Sequence, residues 1–408
     1  MSSLFRKTTQ GLCLLLIASL ASAGDETAAQ IDYSANKVLL IGVDGMQYEK
    51  LLEAIKDGDA PTLARFFTAK SYTGGIVGTS TQQTTFSGPG WATILTGAWI
   101  DRHQVHGNDS LLRNKADSLF KLIKSSAPTR QTASIVSWDT INDNLADDIH
   151  NGYINRALQC HDDDRCVANA VGQLLKTSGS DFIFAHFDEP DMTGHAKGFS
   201  PEYQAAIQQV DGYISGIMSA LATRPVEEDW LVIVAPDHGR LLPSGQTHGG
   251  QTLSEKTTFI ALNKPANPQL SQPIVDPMNP GFDGLYGDAS QADIAPTALH
   301  HLGITHAPAA YRIDGQPLLG PTGVRQLTVY ANNQERRVTL QWRNEAPSGK
   351  PITIYRDGQK LVELTDRQAE YVDTELQSFG TGPKDINYVV EMDDVPIARL
   401  VRIDLPPL

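Results

Sequence analysis

The side chains best suited to chemistry fall in four short stretches. "VLLIGVDGM" places Asp44 just past an apolar run, and "FIFAHFDEPDMTGH" places Asp191 and His195 four residues apart past another. "LVIVAPDHG" ends in Asp237 and His238, and "GQTHGG" presents His248 in a glycine frame. Singly, each has an ordinary reading: Asp-Gly after a strand is a turn signal, and a loop histidine is commonly polar surface. Together, three aspartates and three histidines supply oxygen and nitrogen donors for two tetrahedral zinc ions without any cysteine. Asp191 and His195 can aim at one ion if their segment takes a helical turn. A metal pair of this kind can clamp the attacking and leaving oxygens of a phosphoryl transfer.

A fifth stretch offers a nucleophile. "TTFSGPGWATILTG", residues 84–97, packs three hydroxyls against two glycines and a proline before an apolar run. "GWATILTG" can form a helix, and a hydroxyl at its start would lie at the positive end of the backbone dipole, where free N–H groups favour an anion. A serine hydroxyl is a poor nucleophile at its ordinary pKa and needs a base or a metal. An N-capping serine is the plain alternative. The local pattern leaves Thr84, Thr85 and Ser87 open.

The elements that must position these groups alternate in type. "KVLLIGV" (37–43), "ASIVSW" (133–138), "DFIFAHF" (181–187), "DWLVIVA" (229–235) and "TTFIAL" (257–262) read as strands, several apolar on both faces as in a covered parallel sheet. "EYQAAIQQVDGYISGIMSALAT" and "QADIAPTALHHLG" read as helices, the second ending at Gly303. The alternation predicts an α/β layered domain, with the candidate groups just past strand ends, where open parallel sheets hold their ligands. After "DGQPLLGPTG" the pattern changes: "VTLQW" alternates, "ITIYRDGQKLV" is a hairpin with Asp357-Gly358 at its tip, and "INYVVEM" and "ARLVRIDL" are further strands. That tail predicts a small all-β sandwich.

In their order along residues 37–320, these segments resemble the alkaline phosphatase superfamily, and within it the nucleotide pyrophosphatase/phosphodiesterase branch. The carrying motifs are "GVDGM", the Ser/Thr-x-Pro segment running to "LTG", "DRHQVHGN", "DEPDMTGH", "PDHG", "THGG", and "DIAPTALHHLGI" with "IDGQPL". The resemblance implies one zinc on Asp191, His195 and His248 and another on Asp44, Asp237 and His238, with the nucleophile's oxygen on the second. Its spacing rules, two residues before Pro89 and nine before Thr96, select Ser87. The branch usually has Thr-Phe, which Thr85-Phe86 reproduces two residues early, so Thr85 stays as the alternative. Asn108, eleven residues after Gly97, falls where the family places a donor to a nonbridging phosphate oxygen. Where the family has Asn-His after the proline, this chain has Gly90-Trp91, so Trp91 is expected to floor or gate the substrate pocket. Sulfatases of the superfamily need an arginine there and paired aspartates in the first motif; Trp91 and a single Asp44 argue against that activity. The tail resembles a fibronectin type III module through the tryptophan of "VTLQW", the "YRDG" hairpin, "YVD" and "INYVV".

These readings divide the chain into a signal peptide at 1–23, an alkaline-phosphatase-like catalytic domain with a mostly parallel sheet at 31–320 and the β-sandwich at 325–408. Arg6 and Lys7, the apolar "GLCLLLIASL" and the closing Ala-Ser-Ala describe a cleaved leader, with an uncleaved anchor as the alternative. No later segment is apolar enough to span a membrane. Export suits Cys160 and Cys166, which bracket "HDDDR" and could close a loop in an oxidising compartment. Losing Arg6 and Lys7 takes the formal net charge from −14 to −16, which argues against nonspecific nucleic-acid binding. The expected protein is a periplasmic or secreted hydrolase of small phosphate esters or nucleotide-like substrates, diester or pyrophosphate first. Its rivals are a phosphomonoesterase, which would add an arginine clamp and a third metal and for which only Arg102 and Arg113 lie near Asn108, and an idle protein whose sandwich docks on a surface or glycan.

Overall fold

The computed structural model describes residues 34–108, 114–177, 179–344 and 349–407. The expected leader, Cys13 and Arg113 lie outside them.

A sheet of eight strands carries the site. In chain order these are β1 (Asn36–Val43), β2 (Phe67–Tyr72), β3 (Thr132–Val136), β4 (Arg156–Gln159), β5 (Phe182–Phe187), β6 (Asp229–Ala235), β7 (Thr257–Leu262) and β8 (Ala289–Ser290). They lie in the order β4-β3-β5-β1-β6-β7-β2-β8. The strands from β4 to β6 in that order run parallel, as does β8 to β2, whereas β7 is antiparallel to both β6 and β2. β1 shows why the run is continuous in sequence. Val38 and Leu40 pack into one apolar core while Leu39, Ile41 and Val43 pack into another on the opposite face. A strand covered by helices on both sides has no solvent face to mark with polar residues.

Gly42 breaks that run for a steric reason. A Cβ there would lie 2.3 Å from Cη2 of Trp91, whose indole covers the strand. Trp91 belongs to the helix Ser87–Thr96, which ends where Gly97 turns left-handed at φ 69°. The helices Pro201–Leu221 and Ile294–His301 match the periodic segments, and Gly303 has φ 69°. Among the described residues, no helix is long and apolar enough to cross a membrane.

The tail forms two antiparallel sheets. Arg325–Asn332, Arg337–Arg343 and Glu370–Asp373 make one, and Ile352–Arg356, Gln359–Leu364, Gly382–Met392 and Val395–Leu405 the other. Trp342, Leu340, Ile354, Tyr388 and Ile403 fill the core they share. The Asp357-Gly358 tip has both residues at positive φ, as a two-residue hairpin of matching twist requires. Val389 and Ala398 face away from that core and join the core of the α/β layer, and Arg399 donates to the Asp314 carbonyl.

Candidate metal centre and active site

β5, β1 and β6 are neighbours at the middle of the sheet, and their ends point the same way. Asp44, Asp188 and Asp237 therefore emerge side by side, each within two residues of its strand's last position. The helix Glu189–Lys197 starts at the end of β5 and puts Asp191 and His195 one turn apart. His248 comes from the glycine-framed loop before β7.

These groups converge. Nε2 of His195 lies 3.1 Å from Asp191 Oδ2 and 3.0 Å from Nε2 of His248, which is 3.7 Å from Asp191 Oδ1. Asp44 Oδ1 lies 3.3 Å from His238 Nε2, which is also 3.3 Å from Asp237 Oδ2. The His238 and His248 rings stack with centroids 3.7 Å apart, so the two sets adjoin. All six ligand candidates read from the sequence meet at one place. The groupings differ from the expected ones: Asp191, which sits with His195 and His248, also completes the close set of Asp44 and His238, while Asp237 reaches that set only through His238 and belongs to none of the close groups itself. A further group, Asp44 with His186 and Asp188, sits beside them.

Each imidazole is oriented from behind. Nδ1 of His195 donates to the Gln246 carbonyl at 2.9 Å, Nδ1 of His248 to the Thr85 carbonyl at 2.8 Å, and Nδ1 of His238 faces the Gly239 carbonyl at 3.0 Å. With Nδ1 so engaged, Nε2 is the nitrogen turned toward the carboxylates, the arrangement that metal-binding histidines adopt. Two Nε2 atoms 3.0 Å apart, amid buried carboxylates, form a set that a divalent cation would satisfy. Asp237 Oδ2 points the same way, since it is buried and has no hydrogen-bond partner. The electrostatics agree. Burial and the facing charges of Asp44 and Asp191 push the Asp188 carboxyl up to about 10. Burial and Asp44 likewise raise Asp237 well above its ordinary range. Burial alone would lower His238, but Asp237 and Asp44 outweigh it and hold the imidazole at about 9. Asp44 and Asp191 go the other way, because the histidines facing them outweigh their burial, and burial pushes the His248 imidazole down to about 3. Protons thus gather on Asp188, Asp237 and His238, the response of a buried cluster with more carboxylates than it can ionise together.

Arg240 supplies one fixed cation. It is fully buried, its Nη1 paired with Asp191 Oδ1 and its Nε donating to the Gly245 carbonyl. Gly194, between Asp191 and His195, makes room for it, because a Cβ there would sit 2.4 Å from the guanidinium carbon.

Ser87 opens its helix, with Phe86 at the N-cap and no side-chain cap. Its Oγ lies 3.3 Å from His238 Nε2 and 3.5 Å from Asp44 Oδ1. Thr85 is engaged elsewhere: its Oγ1 donates to the Gly250 carbonyl at 2.9 Å and accepts the Gly249 N–H at 3.0 Å, tying down the loop that carries His248. Asn108 Oδ1 accepts the Gly88 N–H at 2.8 Å, so the amide's other group, a donor, is the one left for a ligand. Trp91 is buried, 3% exposed, and its Nε1 donates to Asp44 Oδ2 at 3.0 Å, beside His186 Nε2 at 3.3 Å. With Gly88, Val105, Trp138 and Leu145 it also lines an apolar slot next to the helix start. A larger cavity of about 360 Å³, bordered by Arg102, Lys115, Tyr311 and Arg312, shares no residue with the cluster. Cys160 and Cys166 are joined by a disulfide.

The residues that sequence reasoning passed over are His186, Asp188 and Arg240. His186 was the most visible of them, an imidazole inside a strand otherwise made of Phe, Ile and Ala.

Residues 38–142 and 115–247, about half of the chain, match the family model described as type I phosphodiesterase / nucleotide pyrophosphatase. No curated protein sequence matches. Among solved structures, a 2-O GAG sulfatase aligns with a TM-score of 0.50 at 11% identity, over 75% of this chain and 80% of its own. Murine ectonucleotide pyrophosphatase / phosphodiesterase 5 gives 0.46 at 14% identity, over 67% and 96%. A phosphonoacetate hydrolase from Sinorhizobium meliloti 1021 in complex with phosphonoformate gives 0.39 at 16% identity, over 50% of this chain and only 56% of the hydrolase. At 11% identity the likeness to the sulfatase is one of fold.

Proposed function

The chain belongs to the type I phosphodiesterase/nucleotide pyrophosphatase family, and on that premise we propose that it is an exported two-zinc hydrolase of phosphate esters that uses Ser87 as its nucleophile. One observation carries the reading. The Ser87 hydroxyl, at the start of a helix, faces the same carboxylate and imidazole cluster that the family's metals would occupy.

Asp191, His195 and His248 would hold one zinc and Asp44, Asp237 and His238 the other, and the pair would lower the hydroxyl's pKa and neutralise charge on the attacking and leaving oxygens. Ser87 Oγ attacks phosphorus in line, with the positive end of its helix dipole directed at the incoming phosphate. Asn108, its carbonyl oxygen already bonded to Gly88, donates its amide N–H to a nonbridging oxygen as charge develops there. Trp91 and His186 hold Asp44 from behind. The ester oxygen leaves, and water then cleaves the phosphoseryl bond to restore the serine. Diester or pyrophosphate substrates are favoured over monoesters on the family's branch, and of the two arginines a monoesterase could turn on the phosphate, Arg102 is engaged by Asp314 at 2.8 Å, while Arg113 lies outside the described residues. The Cys160–Cys166 disulfide supports a periplasmic or secreted location. The two C-terminal sheets support a fibronectin type III-like module, and a surface or glycan is the contact proposed for it.

The test compares bis-p-nitrophenyl phosphate, p-nitrophenyl phosphate and the sulfate analogue, with zinc and with chelator, beside Ser87→Ala. The diester should be turned over fastest, only with metal, and Ser87→Ala should lose roughly a thousandfold or more. Zinc-independent turnover, or an unimpaired Ser87→Ala, would sink the mechanism.

A further inference from the structure

The helix that carries Asp191 and His195 is capped from outside itself. Its own N-cap residue, Asp188, makes no side-chain capping bond. The orphan N–H groups of Asp188 and Glu189 are instead accepted at 2.9 and 3.1 Å by the two carboxylate oxygens of Asp164, which is 6% exposed. A carboxylate there also complements the positive end of the helix.

Asp164 is held by the disulfide ring. It opens the helix Asp164–Thr177 and lies between Cys160 and Cys166, which are bonded across six positions. Within the ring, His161 and Asp162 are consecutive non-glycine residues at φ 53° and 62°. Both are residue types that enter the left-handed region more readily than most, and the closed ring holds two of them there in succession. The ring also hangs from the end of β3: Cys160 N donates to the Val136 carbonyl and Asp162 N to the Ser137 carbonyl, both at 2.9 Å. Because β3 lies beside β5, this suspension sets Asp164 against the first turn that follows β5.

We propose that Asp164 is a positioning residue for the metal centre, and that the Cys160–Cys166 bond serves to hold it there, so that the disulfide contributes to metal affinity and not only to the stability of a surface loop. The inference rests on the reading that Asp191, His195 and His248 hold a zinc ion. Removing Asp164 frees two N–H groups in the turn that fixes Asp191, and opening the ring lets the left-handed pair relax and carry Asp164 away.

The experiment uses the mature protein, Asp164→Asn, Asp164→Ala and the double variant Cys160→Ser/Cys166→Ser. Zinc affinity is measured by competition with a chromophoric chelator, and amide hydrogen exchange and thermal unfolding are followed on the metal-free proteins. Asp164→Asn keeps the size and one acceptor but turns an amide donor toward a backbone donor, so it tests the cap in a folded protein. One of the two zinc ions should bind roughly 10-fold more weakly in every variant, Asp164→Ala at least as affected as Asp164→Asn, while the other ion is held as before. The Asp188 and Glu189 amides should exchange roughly 10-fold faster relative to those of β5. Unchanged zinc affinity overturns the inference, whatever the protection at Glu189. So does a weakening of both ions that merely follows the melting temperature. If the unaltered protein binds no zinc, the metal reading itself falls, and exchange at Asp188 and Glu189 still decides whether Asp164 caps the helix.

Discussion

Replacing Trp91 by Phe separates two roles for that residue. The indole donates to Asp44 Oδ2 at 3.0 Å, both groups being buried, and the other donor on that oxygen is His186 Nε2 at 3.3 Å. Phenylalanine keeps most of the packing against Phe184 and His186 but removes the N–H. A hydrogen bond to a charged group contributes about 1.5–3 kcal/mol, and losing it lets Asp44 swing away from Ser87 and His238. At about 1.4 kcal/mol per decade this amounts to a fall in kcat of about 10- to 150-fold. KM should stay within about threefold, because no contact with the bound substrate is lost. The smaller ring should also reduce stability by about 1–2 kcal/mol, visible in thermal unfolding and separable from the rate effect by assaying well below the melting temperature. Steady-state kinetics on bis-p-nitrophenyl phosphate at saturating zinc give the answer. A rise in KM with kcat unchanged would mean that Trp91 floors the substrate slot and that its bond to Asp44 is incidental. An unchanged kcat and KM would refute both roles.

Two further predictions concern neighbours of the site. Gly42→Ala should cost about 1–3 kcal/mol, because its Cβ would meet the Trp91 ring at 2.3 Å, and much less in a Trp91→Phe background where that part of the ring is absent; additive penalties in a double-mutant cycle would show the clash to be relieved elsewhere. His103 is fully buried, its Nδ1 accepts the Val105 N–H at 3.0 Å, and burial pushes the imidazole down to about 3. Below about pH 6.5 the unfolded chain therefore takes up a proton that the folded one refuses, and stability falls as pH drops through the window from about 6.5 to about 3. Denaturant unfolding should show His103→Asn gaining about 2–3 kcal/mol on the unaltered protein between pH 7 and 4.5. A difference independent of pH would contradict the buried, neutral imidazole.

What was legible in the sequence follows from burial. β1, β3, β5, β6 and β7 announce themselves because both faces are covered, so apolar residues dominate successive positions instead of alternating with polar ones. β4, "RALQ" at the sheet edge, and β2, "FTAKSY", are largely unburied, and no apolar run marks them. The strand-end ligands could be found because an aspartate or histidine directly after such a run is conspicuous and because Asp191 and His195 share a helical face. Arg240 could not, since its partner Asp191 is 49 positions away and only the fold joins them. Nor could the direction of β7, which reads like the strands of the parallel run although it is antiparallel to both of its neighbours, because sequence pattern does not encode strand direction.

Trp91 lies between these cases. It stands four residues after Ser87, one turn along the same helix, so the two side chains share a face. If Ser87 meets Asp44, Trp91 must approach Asp44 as well, and the glycine two positions before Asp44 is the residue that lets a ring lie across the strand. The departure from the family at Gly90-Trp91 is therefore coupled to Gly42. A tryptophan at the one position and no side chain at the other together place an N–H on the outer oxygen of the carboxylate, leaving the inner oxygen to face Ser87 and His238. A smaller residue at 91 would fill neither the space above Gly42 nor the bonding capacity of Asp44. The pair is thus expected to tolerate change only together.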